Sequence, residues 1–153
     1  MTAIHLKGTC NLAAMQDADK NLRKVRSIAD YQFGKGCGEA LFPEGVTFLL
    51  SRTNRVRQII HNGQRIATVR AKDGMLTLSI AGAQVIHNVL PSPSYRVMVC
   101  DDAVPFVSKG KTVFAKHVIG LDKELRAGEE VLVVDASDKL LATGQLLLSP
   151  DEA

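Results

Sequence analysis

The fold is decided by a stretch that begins Arg96-Val-Met-Val-Cys-Asp-Asp-Ala-Val-Pro-Phe-Val-Ser-Lys-Gly-Lys-Thr-Val-Phe-Ala-Lys-His-Val118 and ends Leu140-Leu-Ala-Thr-Gly-Gln-Leu-Leu-Leu-Ser149. Short apolar runs in it are typical of β-strands, and turn signals such as Arg126-Ala-Gly-Glu129 separate them. Apolar residues occupy both faces of the later runs, which predicts strands buried inside a closed barrel. The predicted strands are Val97–Cys100, Thr112–His117, Glu130–Asp135 and Leu140–Leu148.

A lysine-bracketed glycine, Lys109-Gly-Lys-Thr112, is the strongest candidate for ligand binding in this stretch. Asp101 and Asp102 can cap a short helix that runs through Val107 and ends at Gly110, and a helix end that meets a glycine loop exposes backbone N–H groups. The flanking lysines would add charge for a phosphate, and a glycine without a Cβ lets an RNA backbone approach closely. The alternative is a glycine that ends the helix beside two solvated lysines.

An amphipathic helix is predicted upstream, because Leu22, Val25 and Ile28 recur at helical spacing. It would start at an N-cap at Asp17 or Asp19 and run through Tyr31. Residues 1–16 show no clear period, so an arm or a first strand is expected there.

The sequence then changes to four strand-like runs, with strong hairpin turns at Asn62-Gly63 and Asp73-Gly74. Arg52, Arg55 and Arg57 lie on this meander, and the last two share a face because side chains alternate along a strand. Guanidinium groups suit phosphate recognition, although charges on the exposed face of a half-buried hairpin are also common. The runs are Val46–Leu50, Arg55–His61, Arg65–Arg70 and Met75–Ile80, and a short helix is expected at Ala81–Asn88.

No motif for catalysis or metal binding emerges. Gly34-Lys-Gly-Cys-Gly38 lacks the spacing of a phosphate loop and does not follow a strand, so a tight connector is favoured. Cys10, Cys37 and Cys100 form no Cys-x-x-Cys pair, and the four histidines are scattered. We therefore expect no catalytic residue, no metal and no cofactor.

Charge is divided unequally along the chain. Residues 1–73 carry 12 Lys and Arg against 6 Asp and Glu, whereas residues 74–153 carry 7 against 10. The basic balance of the first part favours a polyanionic partner, and a solvated basic face is the alternative. Aromatic residues make up only 5% of the chain, which disfavours domains that read single-stranded RNA by stacking many bases.

The compartment is predicted from cysteines and hydropathy. Three cysteines without a secretory signal indicate reduced thiols. The sequence has no run of about 18 apolar residues that could span a membrane. We expect a cytoplasmic protein with no membrane partner.

A known family is similar to most of this chain. The domain that precedes the PUA domain in archaeosine tRNA-guanine transglycosylases resembles Leu22-Arg-Lys-Val-Arg-Ser-Ile-Ala-Asp-Tyr-Gln-Phe-Gly-Lys-Gly-Cys-Gly-Glu-Ala-Leu-Phe42. Ser51-Arg-Thr-Asn-Arg-Val-Arg57 and Asp73-Gly-Met-Leu-Thr-Leu78 extend the resemblance, and Arg96–Ser149 is similar to the C-terminal PUA domain, a small RNA-binding pseudobarrel. Related domain pairs also occur in archaeosine synthase.

The resemblance implies the RNA-gripping end of that enzyme as a separate polypeptide. The family's catalytic part is a zinc-bearing TIM barrel, which 153 residues cannot contain. In the family, these domains grip the acceptor end of tRNA and help to expose a buried guanine of the D arm. Carried over, the RNA-binding residues are Lys109, Gly110, Lys111, Thr112, Phe114, Lys116 and His117 in the PUA part and Lys35, Arg52, Arg55 and Arg57 before it, with Tyr31 and Phe33 as weaker candidates.

The resemblance also implies the fold class, α+β. A small α+β pre-PUA domain (a helix plus an antiparallel meander) would occupy residues 1–73, and a PUA-type β-pseudobarrel would occupy 74–153 with its core at 95–149. The stretch from Arg96 is too short for a typical PUA domain, so the residues before it are assigned to the C-terminal fold. The connector at Pro91–Ser94 is the rival boundary.

Three functions are compared. The leading hypothesis is a non-catalytic protein that binds structured RNA, above all tRNA, as an accessory or split subunit for archaeosine-type guanine modification beside a separately encoded catalytic transglycosylase. The second is an interaction scaffold that docks on a separate RNA-modifying or ribosome-associated protein. A small enzyme ranks last, because no nucleophile, base or metal constellation emerges.

Overall fold

The first element of the computed structural model is a long helix, α1 (Thr2–Phe33). Residues 2–147 are described, with side chains from residue 16 on. Leu22, Val25 and Ala29 form the buried face of α1, at the helical spacing seen in the sequence. The predicted amphipathic helix is therefore confirmed.

The predicted start of this helix is wrong. Residues 1–16 were expected to form an arm or a strand, yet α1 already runs from Thr2, and Asp17 and Asp19 lie inside it. The run Leu12-Ala-Ala-Met15 shows why, because good helix formers continue a helix without an apolar period. Lack of periodicity was thus a poor guide to the start of α1.

The glycine-rich segment after α1 connects it to a short helix, α2 (Cys37–Leu41). Asp30 Oδ1 accepts hydrogen bonds from the N–H groups of Gly36 at 3.2 Å and Gly38 at 2.7 Å. Gly38 also lies against the backbone of Arg26, where an added Cβ would be 2.7 Å from the Arg26 Cα. The segment is a connector, as predicted, and its amides are bonded within the chain.

A four-stranded meander follows, with strand order β1-β2-β3-β4. The β1–β2 and β2–β3 pairs are antiparallel, and the Asn62-Gly63 turn joins the second pair. The core of this part includes the fully buried Phe42 and Ile59. The strands are β1 (Thr47–Leu50), β2 (Val56–His61), β3 (Gln64–Val69) and β4 (Leu76–Leu78).

The chain divides into two units by packing, Met1–Leu76 and Thr77–Ala153. The second unit opens with α3 (Ile80–Val89), whose N-cap Ser79 accepts a hydrogen bond from the Gly82 N–H at 3.2 Å. The predicted helix there is confirmed. The domain boundary proposed at 73/74 and its rival at 91–94 stay predictions.

The second unit is built around a sheet with strand order β6-β5-β7-β8. The central pair, β5–β7, is parallel, whereas the two outer pairs are antiparallel. All five residues of β7 are buried, as its two-sided apolar sequence predicted. The elements are β5 (Arg96–Val99), a 3-10 turn at Asp101–Ala103, α4 (Val104–Val107), a 3-10 turn at Ala115–His117, β6 (Val118–Leu121), β7 (Glu130–Val134) and β8 (Leu140–Gln145).

Three details of the C-terminal prediction are wrong. Residues 112–117 are not a strand: Phe114 is extended, but the strand that pairs with β5 begins only at Val118. The 3-10 turn is capped by Cys100 without a side-chain hydrogen bond, so the adjoining aspartates are not its cap. The sheet has two edges within the described residues, β6 and β8, and is not a closed barrel there. The α+β class itself is confirmed.

A buried arginine joins three parts of the second unit. Arg96, on β5, donates through Nε to Asp138 Oδ1 at 2.7 Å, through Nη1 to the Ser94 carbonyl at 3.0 Å and through Nη2 to the His87 carbonyl at 2.9 Å. His87 Nε2 also lies 2.6 Å from the Asp138 carbonyl. The buried charge is thereby compensated, and α3 is tied to β5 and to the turn before β8. We call this the Arg96–Asp138 clasp.

Candidate nucleic-acid interface

A cleft of about 560 Å³ lies in the second unit, between α4 and the segment that leads to β6. Six of the seven predicted PUA residues line it, whereas Lys109 does not. We call it the Gly110 cleft. Its lining residues are Ala103, Phe106, Val107, Gly110, Lys111, Thr112, Val113, Phe114, Lys116 and His117.

The turn at Gly110 is made by the backbone. The Gly110 N–H donates to the Val107 carbonyl at 2.9 Å, and the N–H groups of Lys109 and Lys111 both donate to the Phe106 carbonyl at 3.2 Å. These amides are therefore not free for a phosphate, and the predicted exposure of N–H groups at this helix end is wrong. Gly110 has φ 80°, and an added Cβ would meet nothing within 4 Å. A ligand can thus approach the Gly110 backbone closely.

The charged side chains of this region are free to meet an anion. Lys109, Lys111 and Lys116 are exposed and make no ion pair within residues 16–147. Lys111 Nζ lies 5.8 Å from the centroid of the Phe106 ring, a weak cation–π contact that leaves its charge accessible. No acidic side chain lines the cleft. The charged lining of the cleft is therefore basic, although the second unit as a whole is acidic.

Two phenylalanine rings stand exposed at this cleft. Phe106 is 56% exposed and Phe114 is 59% exposed, which is unusual for side chains of this size. Exposed rings beside cations are typical of surfaces on which nucleic-acid bases stack. Phe106 was missed from the sequence; the signal for it was an aromatic residue directly after Pro105 in the short helix before Gly110.

A second concave surface, the basic pocket, lies in the first unit and measures about 690 Å³. Of the predicted residues, Arg55 and Arg57 line it, and Arg52 does not. Sequence reasoning missed its other cations, because they come from α1 and from the β3–β4 turn. The charged lining residues are Lys24, Arg55, Arg57, Arg70, Lys72 and Asp73.

The remaining predicted residues lie apart from both surfaces. Lys35 and Arg52 are exposed in turns and line neither the cleft nor the pocket. Tyr31 is exposed on α1, whereas Phe33 is buried in the core and cannot contact RNA.

The described side chains offer little support for metal binding or nucleophilic catalysis. Among residues 16–147, no three His, Cys, Asp or Glu side chains gather into a metal-binding group. Burial raises the pKa of the Cys37 thiol, and the nearby Asp30 carboxylate raises it further, so this thiol is a poor nucleophile. No helix in the described part of the chain is long and apolar enough to cross a membrane.

Comparison with known families and sequences gives two matches in succession. Residues 23–93 match the patch-forming domain C2 of tRNA-guanine transglycosylase, and residues 95–153 match the PUA domain. The tRNA-guanine(15) transglycosylase of Thermococcus kodakarensis is 51% identical over 128 residues, which cover 84% of this chain and 22% of the relative. The enzyme of the same name from Methanothermobacter thermautotrophicus is 47% identical over 133 residues, covering 86% and 20%. The chain thus spans about a fifth of the length of the curated relatives it matches.

Solved structures share the fold. The crystal structure of a hypothetical protein from Pyrococcus horikoshii OT3 superposes with a TM-score of 0.64 at 20% identity, covering 86% of this chain and 80% of that one. A conserved PUA domain protein from Thermoplasma acidophilum gives a TM-score of 0.57 at 17% identity, covering 90% and 79%. The predicted pre-PUA plus PUA arrangement is confirmed.

Proposed function

Because the chain carries the patch-forming domain C2 of tRNA-guanine transglycosylase followed by a PUA domain, we propose that it is a non-catalytic RNA-binding protein whose ligand is tRNA. The observation that carries the proposal is the Gly110 cleft, which is lined by two lysines without ion pairs and two exposed phenylalanine rings and by no acidic side chain.

Each part of the cleft has a role in this proposal. Lys111 and Lys116 in the cleft, with Lys109 next to Gly110 in sequence, neutralise backbone phosphates, and the rings of Phe106 and Phe114 stack on bases or riboses. Gly110 lets the RNA backbone approach without a side chain between them. The Thr112 hydroxyl and the His117 ring line the same surface and can hydrogen-bond to the RNA.

The chemistry would belong to another chain. The match is confined to about a fifth of each transglycosylase, at its C-terminal end. We infer an accessory or split subunit that delivers tRNA to a separately encoded catalytic transglycosylase in the cytoplasm. Guanine exchange in tRNA by this chain alone would contradict this part of the proposal.

The scaffold alternative is favoured by a different observation. Leu49 and Leu50, on the edge strand β1, are 51% and 48% exposed. Apolar side chains on an unpaired edge are suited to protein docking. A tRNA-modifying protein that co-purifies with the chain after nuclease treatment, while purified tRNA does not bind, would support the scaffold over the RNA-binding role.

The test of the proposed function is a charge-matched comparison. Lys109→Ala/Lys111→Ala removes two cations of the Gly110 region, and Lys123→Ala/Arg126→Ala removes two exposed cations elsewhere in the same unit. Fluorescence anisotropy with a tRNA transcript should show about a 10-fold or larger loss for the first variant and little for the second. Equal affinities of the two variants would place the RNA contact outside the cleft.

A further inference from the structure

The free edge of the first sheet is an interaction surface that shares no lining residue with the cleft and only Ser51 with the pocket. The edge strand is β1 (Thr47–Leu50), which pairs with β2 on one side only. We call residues 44–52 the β1 edge, and we propose that it binds the same edge of a second copy of this chain. This inference goes beyond RNA binding and does not depend on it.

The backbone of β1 has hydrogen-bonding groups that the fold does not use. In an antiparallel pair, every second residue of a strand points its N–H and C=O away from the partner strand. Apart from its pairing with β2, β1 makes no backbone hydrogen bond within the described residues. The outward groups can therefore pair with another strand.

The sequence of β1 does not protect this edge from pairing. Natural edge strands are commonly guarded by a charged residue, a proline or a bulge. Thr47-Phe-Leu-Leu50 contains no charge and no proline. The bulge in the β1–β2 pair lies on β2, where the register skips Arg57, so β1 itself stays regular. Leu49 and Leu50 are also about half exposed, so β1 offers apolar side chains as well as backbone groups to a neighbouring strand.

The charges at the two ends of the β1 edge favour a second copy as its partner. Glu44 lies four residues before Phe48 and Arg52 lies four residues after it, both exposed in the turns that flank β1. Neither charged side chain makes a hydrogen bond or an ion pair within residues 16–147. A two-fold axis at Phe48 runs the two strands antiparallel and brings Glu44 of each copy next to Arg52 of the other. The edge is thus complementary in charge to itself.

The same axis makes the centre of the contact apolar. Thr47 of one copy lies opposite Leu49 of the other in this register, and Phe48 lies opposite itself. Residues directly opposite in an antiparallel pair share a face and pack together. Each exposed Leu49 is therefore covered by a threonine of the other copy. Four strand residues from each copy make a small interface, so the dimer should dissociate on dilution.

The test exchanges the two charges. Glu44→Arg leaves only cations at the ends of the strand and Arg52→Glu leaves only anions, so each variant should self-associate about 10-fold or more weakly than the wild type. An equimolar mixture of the two variants should dimerise again, because each charge then meets its opposite. The double variant Glu44→Arg/Arg52→Glu should recover the wild-type affinity. Sedimentation velocity over a series of protein concentrations measures each dissociation constant.

Matched controls come from the same unit. Arg23→Glu and Glu39→Arg reverse exposed charges on α1 and α2, outside the β1 edge, and should self-associate like the wild type. The variants Lys109→Ala/Lys111→Ala and Arg55→Gln/Arg57→Gln, which alter the two cationic surfaces, should also remain dimeric. Dimerisation of a protein that binds no tRNA would remove the proposed function and leave this inference standing.

Amide hydrogen exchange locates the contact. As the protein concentration rises through the dimer range, exchange should slow in residues 47–50 and stay unchanged in β8, an edge strand of the second sheet. A wild type that is still monomeric at about 1 mM, or a dimer that neither single charge reversal weakens, would overturn the proposal. If the wild type is monomeric and Glu44→Arg abolishes co-purification of a tRNA-modifying protein, the edge belongs to that protein and not to a second copy.

Discussion

At the scale of single residues, two aspartates add side-chain hydrogen bonds to turns that backbone hydrogen bonds also close. Asp30 Oδ1 accepts from the Gly36 and Gly38 N–H groups. Asp135 Oδ1 accepts from the N–H groups of Ser137 and Lys139 and from the Ser137 hydroxyl, each at 2.9 Å. Short polar side chains that bond to nearby amides are a common means of fixing a turn.

The Asp135 turn predicts a pH dependence. The backbone hydrogen bond from Lys139 is the main cause that lowers the pKa of the Asp135 carboxyl, and the bonds from Ser137 and the Lys139 charge lower it further. Since the folded pKa lies below the unfolded one, the ionised group stabilises the fold above the unfolded pKa, about 4, and this contribution is lost as the pH falls through the folded pKa. Asp135→Asn should therefore be less stable than the wild type near neutral pH and equally stable in strong acid.

Urea unfolding of both proteins at a series of pH values measures this. Asp102→Asn, at an exposed carboxylate without a hydrogen bond in the described structure, is the control and should track the wild type throughout. If the difference in unfolding free energy between Asp135→Asn and the wild type does not shrink in acid, the charge of Asp135 is not what stabilises the turn.

At the scale of elements, the crossing of α1 and α2 depends on one missing side chain. Gly38 lies in α2 with its Cα against the Arg26 backbone, and an added Cβ would be 2.8 Å from the Arg26 carbonyl carbon. Backbone atoms of a helix cannot rotate away as a side chain can. The two helices would have to separate to admit even a methyl group.

Gly38→Ala should therefore destabilise the protein by about 1–3 kcal/mol, although alanine favours a helix more than glycine does. Gly144→Ala is the matched control, because an added Cβ there meets nothing within 4 Å and the backbone is not left-handed. The denaturant midpoints of the wild type, Gly38→Ala and Gly144→Ala measure these differences in stability. A Gly38→Ala protein as stable as the wild type would mean that the crossing is looser than the structure shows.

Individual strands show how much of the fold the sequence predicts. The meander strands were placed to within one or two residues, because Asn62-Gly63 and its companion turns mark hairpins locally. The strand predicted over 112–117 failed for the opposite reason. Its alternating residues favour an extended backbone, but a strand also needs a partner, and pairing with β5 starts only at Val118.

The two candidate surfaces also differ in how far the sequence predicts them. Most of the residues of the Gly110 cleft lie close together in sequence, so a resemblance and a motif found them. The basic pocket draws Lys24 from α1 and Lys72 from a turn nearly fifty residues later. Only the packing of the first unit brings these cations together, and no local pattern in the sequence marks them.

At the scale of the whole molecule, net charge and local charge differ. The unit Met1–Leu76 carries 12 Lys and Arg against 6 Asp and Glu, whereas the remainder carries 7 against 10. Yet each unit presents a concave surface whose charged side chains are mostly or entirely cations. On the proposed function, RNA would be attracted by the field at these surfaces and not by the total charge of the unit that bears them.

Binding of tRNA should therefore fall steeply with salt. If about four phosphates are contacted, the plot of log affinity against log salt should have a slope near −3 between about 50 and 300 mM. Anisotropy titrations at several salt concentrations measure the slope, and a variant that combines the Lys109/Lys111 and Arg55/Arg57 substitutions should flatten it. A wild-type slope near zero would contradict phosphate-driven binding.

The parallel pairing of β5 with β7 has a consequence for the order in which the two sheets form during synthesis. The strands of the first sheet pair with their immediate successors, so they can pair as they leave the ribosome. β5 cannot pair with β7 until β7 has been synthesised, and Arg96 cannot bond to Asp138 until that later residue has been added. We therefore expect the basic pocket to form during synthesis before the sheet beside the Gly110 cleft is complete.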